Sequence, residues 1–400
     1  MGKIAVALFF LYAFLVTSRI LDVLGNSFKI PAVVLVLLGI GLLANRRAFT
    51  FWRTPAGKTM PVFAAWVLAT WLLAQHAPAS WKLIESVLVG AILFAASGLL
   101  AKATDFRQLF GTLACAGLVE AGLGIVWSTQ SYGRLALRSG PDGDPNYYAM
   151  SLLAIIPLLW SLVAGKPWRL RLLGLAAGAL LLGMLIRTGS RASFVAIGAM
   201  LVVVFFLSPL TSRILIASLA AVAFVVLVAF VPNVLKSRLG GTESARSGAD
   251  KDSANARGTL LATSVALTLT NPIFGLGPGN FADTVVEEGR RRGVEWAPLG
   301  PHNAYTQISS ETGVPGLILF LLLIGFSLQS VIAVVRQSAR KGATPNGELH
   351  HLACGLLVSL AGTCSFIFFL GEAYNSVIYL WLGLGTGLRL LLPEPELEDE

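Results

Sequence analysis

The chain has 400 residues, 55% hydrophobic and 13% charged, with a formal net charge of +9 and a mean hydropathy of +0.74. That balance excludes an ordinary soluble globule. The lack of aromatic platforms interleaved with a basic stripe argues against a nucleic-acid partner.

Apolar runs of about 17–23 residues, separated by short charged connectors, are the signature of repeated membrane-spanning helices. The first run, from Ile4, has one basic residue before it and no small-residue cleavage site, so it reads as a span and not as a cleaved leader. Twelve spans are expected, at roughly 4–24, 28–44, 60–77, 80–101, 108–128, 147–165, 170–186, 192–209, 213–231, 313–335, 350–370 and 374–392. The predicted fold is therefore an all-α polytopic membrane protein with about twelve transmembrane helices. Residues 1–231 hold nine of them and 313–392 the last three; 232–312 form one long loop containing short helices, and 393–400 an acidic tail. Cys115, Cys354 and Cys364 all lie inside apolar runs and read as small buried residues, with no disulfide framework and no metal spacing.

The short basic loops set the orientation. NRRAFTFWRTPAGK, AKATDFR, KPWRLR, TSR and RQSARK share one side if the N-terminus is cytoplasmic, and the acidic tail joins them. The long loop falls on the opposite, outer side, since long loops translocate largely regardless of their charge.

Candidate chemistry gathers on that outer side. The loop 129–146 and the first residues after it carry RLALRSGPDGDPNYYAM at 134–150, a turn whose Asn146 is placed to cap the next helix. In a functional reading, Arg134 and Arg138 lie near an anionic substrate. Arg187 and Arg191 flank a Thr-Gly-Ser turn, either as snorkelling anchors or as an anion site where a helix begins. A guanidinium fork there suits phosphate oxygens.

Within the long loop, residues 236–256 are polar and small. Residues 258–270 form an apolar run too short to span, expected to be an interfacial or buried helix that starts just after Arg257. A cation at a helix N-terminus opposes the macrodipole, and a bound anion would reverse that penalty. The glycines of NPIFGLGPGNF miss the GxGxxG spacing and follow no strand, so the stretch is a weak nucleotide motif. It is expected to form a turn that exposes backbone N–H groups, Gly277 among them. The segment 282–292 reads as a solvated helix with its acids early and its arginines late. PHNAYTQ places His302, beside Asn303, Tyr305 and Gln307, where the loop re-enters the membrane. Neither HExxH nor an Asp-rich cluster is present, so metal catalysis has no support in the sequence.

Three of these segments together, TGSRAS at 188–193, NPIFGLGPGNF at 271–281 and PHNAYTQISSETGVPGL at 301–317, with Arg257 upstream of the second, resemble the O-antigen ligase and O-antigen polymerase superfamily of bacterial envelope glycosyltransferases. The turn GDPNYYA at 143–149 is also similar, and the resemblance covers about residues 140–390. It implies a GT-C type membrane fold. It also implies a glycan donor linked to undecaprenyl diphosphate on the periplasmic face, an inner-membrane location, and no metal or other cofactor. Arg191, Arg257 and His302 match the family's functional arginines and histidine. Arg187, Arg138, Asn146, Asn303, Tyr305 and Gly277 are the candidate substrate-binding residues around them. The HNxY setting and the single dominant outer loop favour a ligase using lipid A–core as acceptor over a polymerase or a protein O-oligosaccharyltransferase.

The residues suit that chemistry. Arginines can stabilise a departing diphosphate, and a histidine can take the proton of an acceptor hydroxyl. The alternative from another class is a transporter of lipid-linked glycans. Against it, the two halves show no repeat, and the polar residues gather on one face apart from Glu85 and Glu120.

Overall fold

The protein is described by a computed structural model covering residues 2–24, 29–74, 81–131, 134–137, 144–214, 216–218, 246–291, 299–339 and 347–393, with the backbone alone for 22, 24, 129–131, 134 and 246–257. It is a mostly helical, polytopic membrane protein. The helices, in order, are α1 Gly2–Ser18, α2 Ile20–Leu24, α3 Ile30–Leu43, α4 Pro55–Leu72, α5 Trp81–Ala96, α6 Ala103–Val126, α7 Pro145–Val163, α8 Trp168–Arg187 and α9 Arg191–Leu207. Beyond these come α10 Arg246–Thr270, α11 Phe281–Arg291, α12 Ala304–Ser338, α13 Gly347–Phe366 and α14 Ser376–Arg389.

Among the described residues, six helices are long and apolar enough to cross a membrane. A seventh span results if α3 and the 3-10 helix Arg46–Arg53, bent 78° from it, count as one. This is fewer than the twelve spans expected. The physical reason lies in the breaks: α1 stops at Ser18 because Arg19 takes a left-handed φ of 53°, and α9 is one of the shorter apolar helices. Most of the span expected at 213–231 lies outside the described residues. The all-α expectation also needs correcting. Within the loop 129–146 and just before it, β1 Ser128–Ser131 and β2 Arg134–Leu137 pair antiparallel, with Ser128 opposite Leu137.

Helix starts follow local chemistry. Thr54 accepts the Gly57 N–H at 3.0 Å ahead of Pro55 in α4, and Asp105 closes the start of α6 by accepting the Ala101 and Lys102 N–H groups. The long helices then pack through small residues. A Cβ on Gly383 of α14 would sit 2.6 Å from the Phe94 backbone of α5, so only glycine lets those helices come this close. Phe63, Phe320 and Tyr379 meet at the junction of α4, α12 and α14, with ring centroids 5.8 and 5.9 Å apart. Outward faces are apolar. α8 exposes Leu172, Leu173, Leu175 and Ile186, a surface that only lipid or a partner would cover.

The cysteines do not follow the buried reading. Cys115 is exposed on α6, and Cys354 and Cys364 are half-buried, because each sits on a helix face only partly covered by neighbours.

Candidate active site

One end of the bundle collects the C-termini of α1, α4, α6 and α8 and the starts of α7, α9, α12 and α14. Two motifs lie here, and a short turn joins them.

The first motif is the α8–α9 junction. Gly189, at φ 61°, reverses the chain after α8, and Ser190 precedes the first residue of α9 without capping it through its side chain. The Ser190 hydroxyl instead donates to Asn146 Oδ1 across 2.9 Å. Arg187 and Arg191 stand on either side of the turn with exposed side chains. Asn146 does not cap α7 as expected. Asp144 does so, accepting the Asn146 N–H at 2.8 Å, because Pro145 supplies the first helical position and pushes Asn146 inside the helix. Its amide is thereby turned towards Ser190.

The second motif is the start of α12. His302 holds a left-handed φ of 51°, a conformation uncommon outside glycine but tolerated by histidine. Asn303 next to it caps the helix, its Oδ1 accepting the Tyr305 and Thr306 N–H groups at 2.9 and 3.1 Å. Tyr305 turns into the bundle and donates its hydroxyl to the Cys364 carbonyl at 2.8 Å.

Soon after its start at Ala304, α12 breaks at Gly313, whose φ of 73° and ψ of −178° no other residue adopts readily. The glycine-rich loop 271–280 fills the break. Leu276 and Gly277 donate their N–H groups to the carbonyls of Ser310 and Glu311 at 3.0 and 2.9 Å, and the Val314 N–H returns to Pro272 at 2.8 Å. The loop therefore does not expose its N–H groups to an anion, and Gly277 is engaged inside the protein. The carbonyls freed by the helix break are the stronger claim on them. Trp66 caps another, donating Nε1–H to the Thr312 carbonyl at 2.9 Å while its ring stacks on Phe274.

The joining element is the turn 370–375. Gly371 packs beneath His302, where a Cβ would lie 3.3 Å from the histidine backbone nitrogen, and the Ala373 N–H donates to Gln307 Oε1 at 3.0 Å. Asn375 donates to Glu372 Oε2 at 3.0 Å and caps α14. Tyr147, next to Asn146, faces Arg19, Glu372 and Asn375, and the Arg19 guanidinium lies 4.7 Å above its ring. A continuous series thus runs from His302 through Gly371, Glu372, Tyr147 and Asn146 to Ser190 and Arg191. Behind it, Glu120 is fully buried and accepts the Ser151 hydroxyl at 2.6 Å.

The structure brings His302, Asn303, Asn146, Arg187 and Arg191 to one rim. Arg138 lies outside the described residues, as does the side chain of Arg257. The backbone at 257 corrects one expectation: the helix starts at Arg246, so Arg257 is inside α10 and not at its N-terminus. The polar residues before 258 continue the helix, so an apolar run does not mark its boundary. Sequence reasoning passed over Arg19, Tyr147, Glu311 and Glu372. Arg19 and Glu372 had a readable signal, each a charge breaking an apolar stretch. Glu311 had none, as its partners come from distant segments. Among the described residues, no three His, Cys, Asp or Glu side chains gather as they would around a metal ion.

Residues 176–321 match the family model described as O-Antigen ligase. That segment, a little over a third of the chain, is similar to the O-antigen ligase family. The matched segment runs from α8 to just past the break in α12, so it takes in Arg187, Arg191, Arg257, the glycine-rich loop and His302. Arg19, Asn146, Tyr147 and Glu372 complete the rim from outside the matched segment. A search of curated proteins found no match to the chain.

Proposed function

We propose that the protein is an O-antigen ligase that transfers a glycan from undecaprenyl diphosphate to a sugar hydroxyl of lipid A–core. The single observation that carries the reading is the placement of the matched segment's own motifs. The Arg187–Arg191 junction and the His302 turn share one rim, joined by the turn 370–375.

In this reading His302 takes the proton of the acceptor hydroxyl as its oxygen attacks the anomeric carbon. The bond from that carbon to the diphosphate breaks, and the electron pair leaves with the diphosphate. Arg191 and Arg257 stabilise the charge that develops there, without a metal ion. Attack opposite the leaving group inverts the anomeric centre. Arg187, Arg138 and Asn146 serve donor binding around this core. Asn303 fixes the His302 turn and Tyr305 anchors the helix behind it, which gives both positioning roles. About twelve spans, cytoplasmic termini and a periplasmic rim in the bacterial inner membrane complete the proposal. In support, Arg46, Arg47, Arg53, Lys102 and Lys166 all lie at the end opposite His302, as cytoplasmic loops require.

The test is transfer by the purified protein in lipid, supplied with undecaprenyl-diphosphate glycan and lipid A–core. Stoichiometric release of undecaprenyl diphosphate with glycan-extended lipid A–core, undiminished by a chelator, is the expected result. Passage of intact donor across the bilayer without bond cleavage would establish a transporter instead. Extension of one lipid-linked glycan by another would establish a polymerase.

A further inference from the structure

Glu311 is only 2% exposed and sits in the last turn of α12 before the Gly313 break. Its carboxyl group lies against the end of the glycine-rich loop. It accepts from the backbone of Gly279 and from the Phe281 N–H, the latter at 3.4 Å, at the start of α11. Its Oε2 meets no partner of good hydrogen-bond geometry, and neither does the Tyr374 hydroxyl beside it in the turn 370–375. The Tyr374 hydroxyl faces that oxygen. From the His302-bearing part of α12, Glu311 thus touches the glycine-rich loop and faces the turn beneath His302. The same stretch of α12 meets α10, which carries Arg257, through the Thr268 and Ser309 hydroxyls 2.8 Å apart.

We propose that Glu311 is a positioning residue for transfer. Its carboxyl group ties the glycine-rich loop to α12 and fixes the His302 turn in register with α10 and the Arg257 it carries. The inference rests on the ligase reading above. Base and leaving-group cations must be aligned only in the transition state, so loss of the clamp lowers kcat and leaves donor KM unchanged. A displacement of about 1 Å costs on the order of 100-fold.

The experiment measures turnover per titrated donor-binding site in lipid, so that misfolded molecules are not counted. Glu311→Ala should lose about 100-fold in kcat at unchanged donor KM. Glu311→Gln, which keeps an acceptor oxygen for the Phe281 N–H and offers an N–H to Tyr374, should stay within about tenfold of the parent. A disulfide between Thr268→Cys and Ser309→Cys should restore most of the Glu311→Ala rate by fixing the same register. Parental turnover in Glu311→Ala overturns the proposal. So does equal inactivity of Glu311→Gln and Glu311→Ala with no rescue by the disulfide, which would mean that the charge itself acts on substrate. If Glu311→Ala does not accumulate in the membrane, Glu311→Asp, one methylene too short for the Phe281 N–H, is read in the same way.

Disulfide yield in the Thr268→Cys, Ser309→Cys pair gives an activity-free readout. It should fall when Glu311 is replaced by Ala, and an unchanged yield also overturns the proposal. Failure of the parent protein to make product would defeat the ligase reading and leave this measurement to decide on Glu311.

Discussion

The two motifs on the rim handle their polar groups in opposite ways. At the α8–α9 junction the serine leaves its own helix uncapped and reaches across to Asn146, and both arginines stand exposed. At the α12 break the polar groups are turned inward. Gly277, Leu276 and Val314 satisfy backbone carbonyls, Trp66 caps Thr312, and the Glu311 carboxyl group lies against the end of the glycine-rich loop. The lesson is that a glycine-rich, anion-like loop can be a structural joint, while an unremarkable helix junction presents the cations. His302 stands between the two regimes, its turn held by Asn303 and Gly371 while its ring is the proposed base.

If that contrast is right, substitutions on the open motif should damage chemistry and spare folding, and those in the joint should first cost stability. The largest effect belongs to His302. Replacement by Ala should lower the chemical step by about 10²–10⁴ at saturating donor and acceptor, with donor binding retained. His302→Gln should be as slow, because an amide cannot take the proton. Turnover at the parental rate in His302→Gln would reduce the histidine to a loop-holding role.

Next comes Arg191. A charge-assisted contact to a desolvated diphosphate matters by about 2–5 kcal/mol, so Arg191→Ala should lose roughly 30-fold or more in kcat/KM. Arg191→Lys should recover little, since the planar fork is gone. A lysine variant with normal kcat/KM would move this arginine from the site to the anchors.

The joint gives smaller numbers of a different kind. Trp66→Phe keeps the stack on Phe274 and removes the hydrogen bond to the Thr312 carbonyl. A loss of about 1 kcal/mol in stability is expected, read as a lower unfolding midpoint in lipid. Unaltered stability would show that the break at Gly313 needs no cap from α4. Smallest of all is the exposed Glu287–Arg291 pair on α11, 2.8 Å apart and one helical turn removed from each other. Breaking it with Glu287→Gln should cost no more than about 0.5 kcal/mol and leave transfer unchanged. A large effect would mean that α11 closes over the substrate.

Much of this protein is legible one segment at a time. Hydropathy depends on local composition, so the membrane character and most helix positions follow from the runs themselves. Charge placement is local too, so the arginines flanking the Thr-Gly-Ser turn are visible to inspection, whereas the cap expected of Asn146 passes to Asp144 once Pro145 takes the first helical position. The matched family segment, 176–321, covers the motifs that were readable in this way. Tertiary structure alone decided the partners. Ser190 finds Asn146 44 residues away, Gln307 finds Ala373 66 away, and Trp66 finds Thr312 246 away. Nothing local in any of these residues specifies the other. Each is fixed by how long helices pack, and that packing leaves carbonyls at a break or a buried carboxylate which must be satisfied by whatever donor the bundle brings near. For this reason the glycine-rich loop offers free N–H groups in the sequence, and only the fold shows that Leu276 and Gly277 spend theirs on the carbonyls of Ser310 and Glu311.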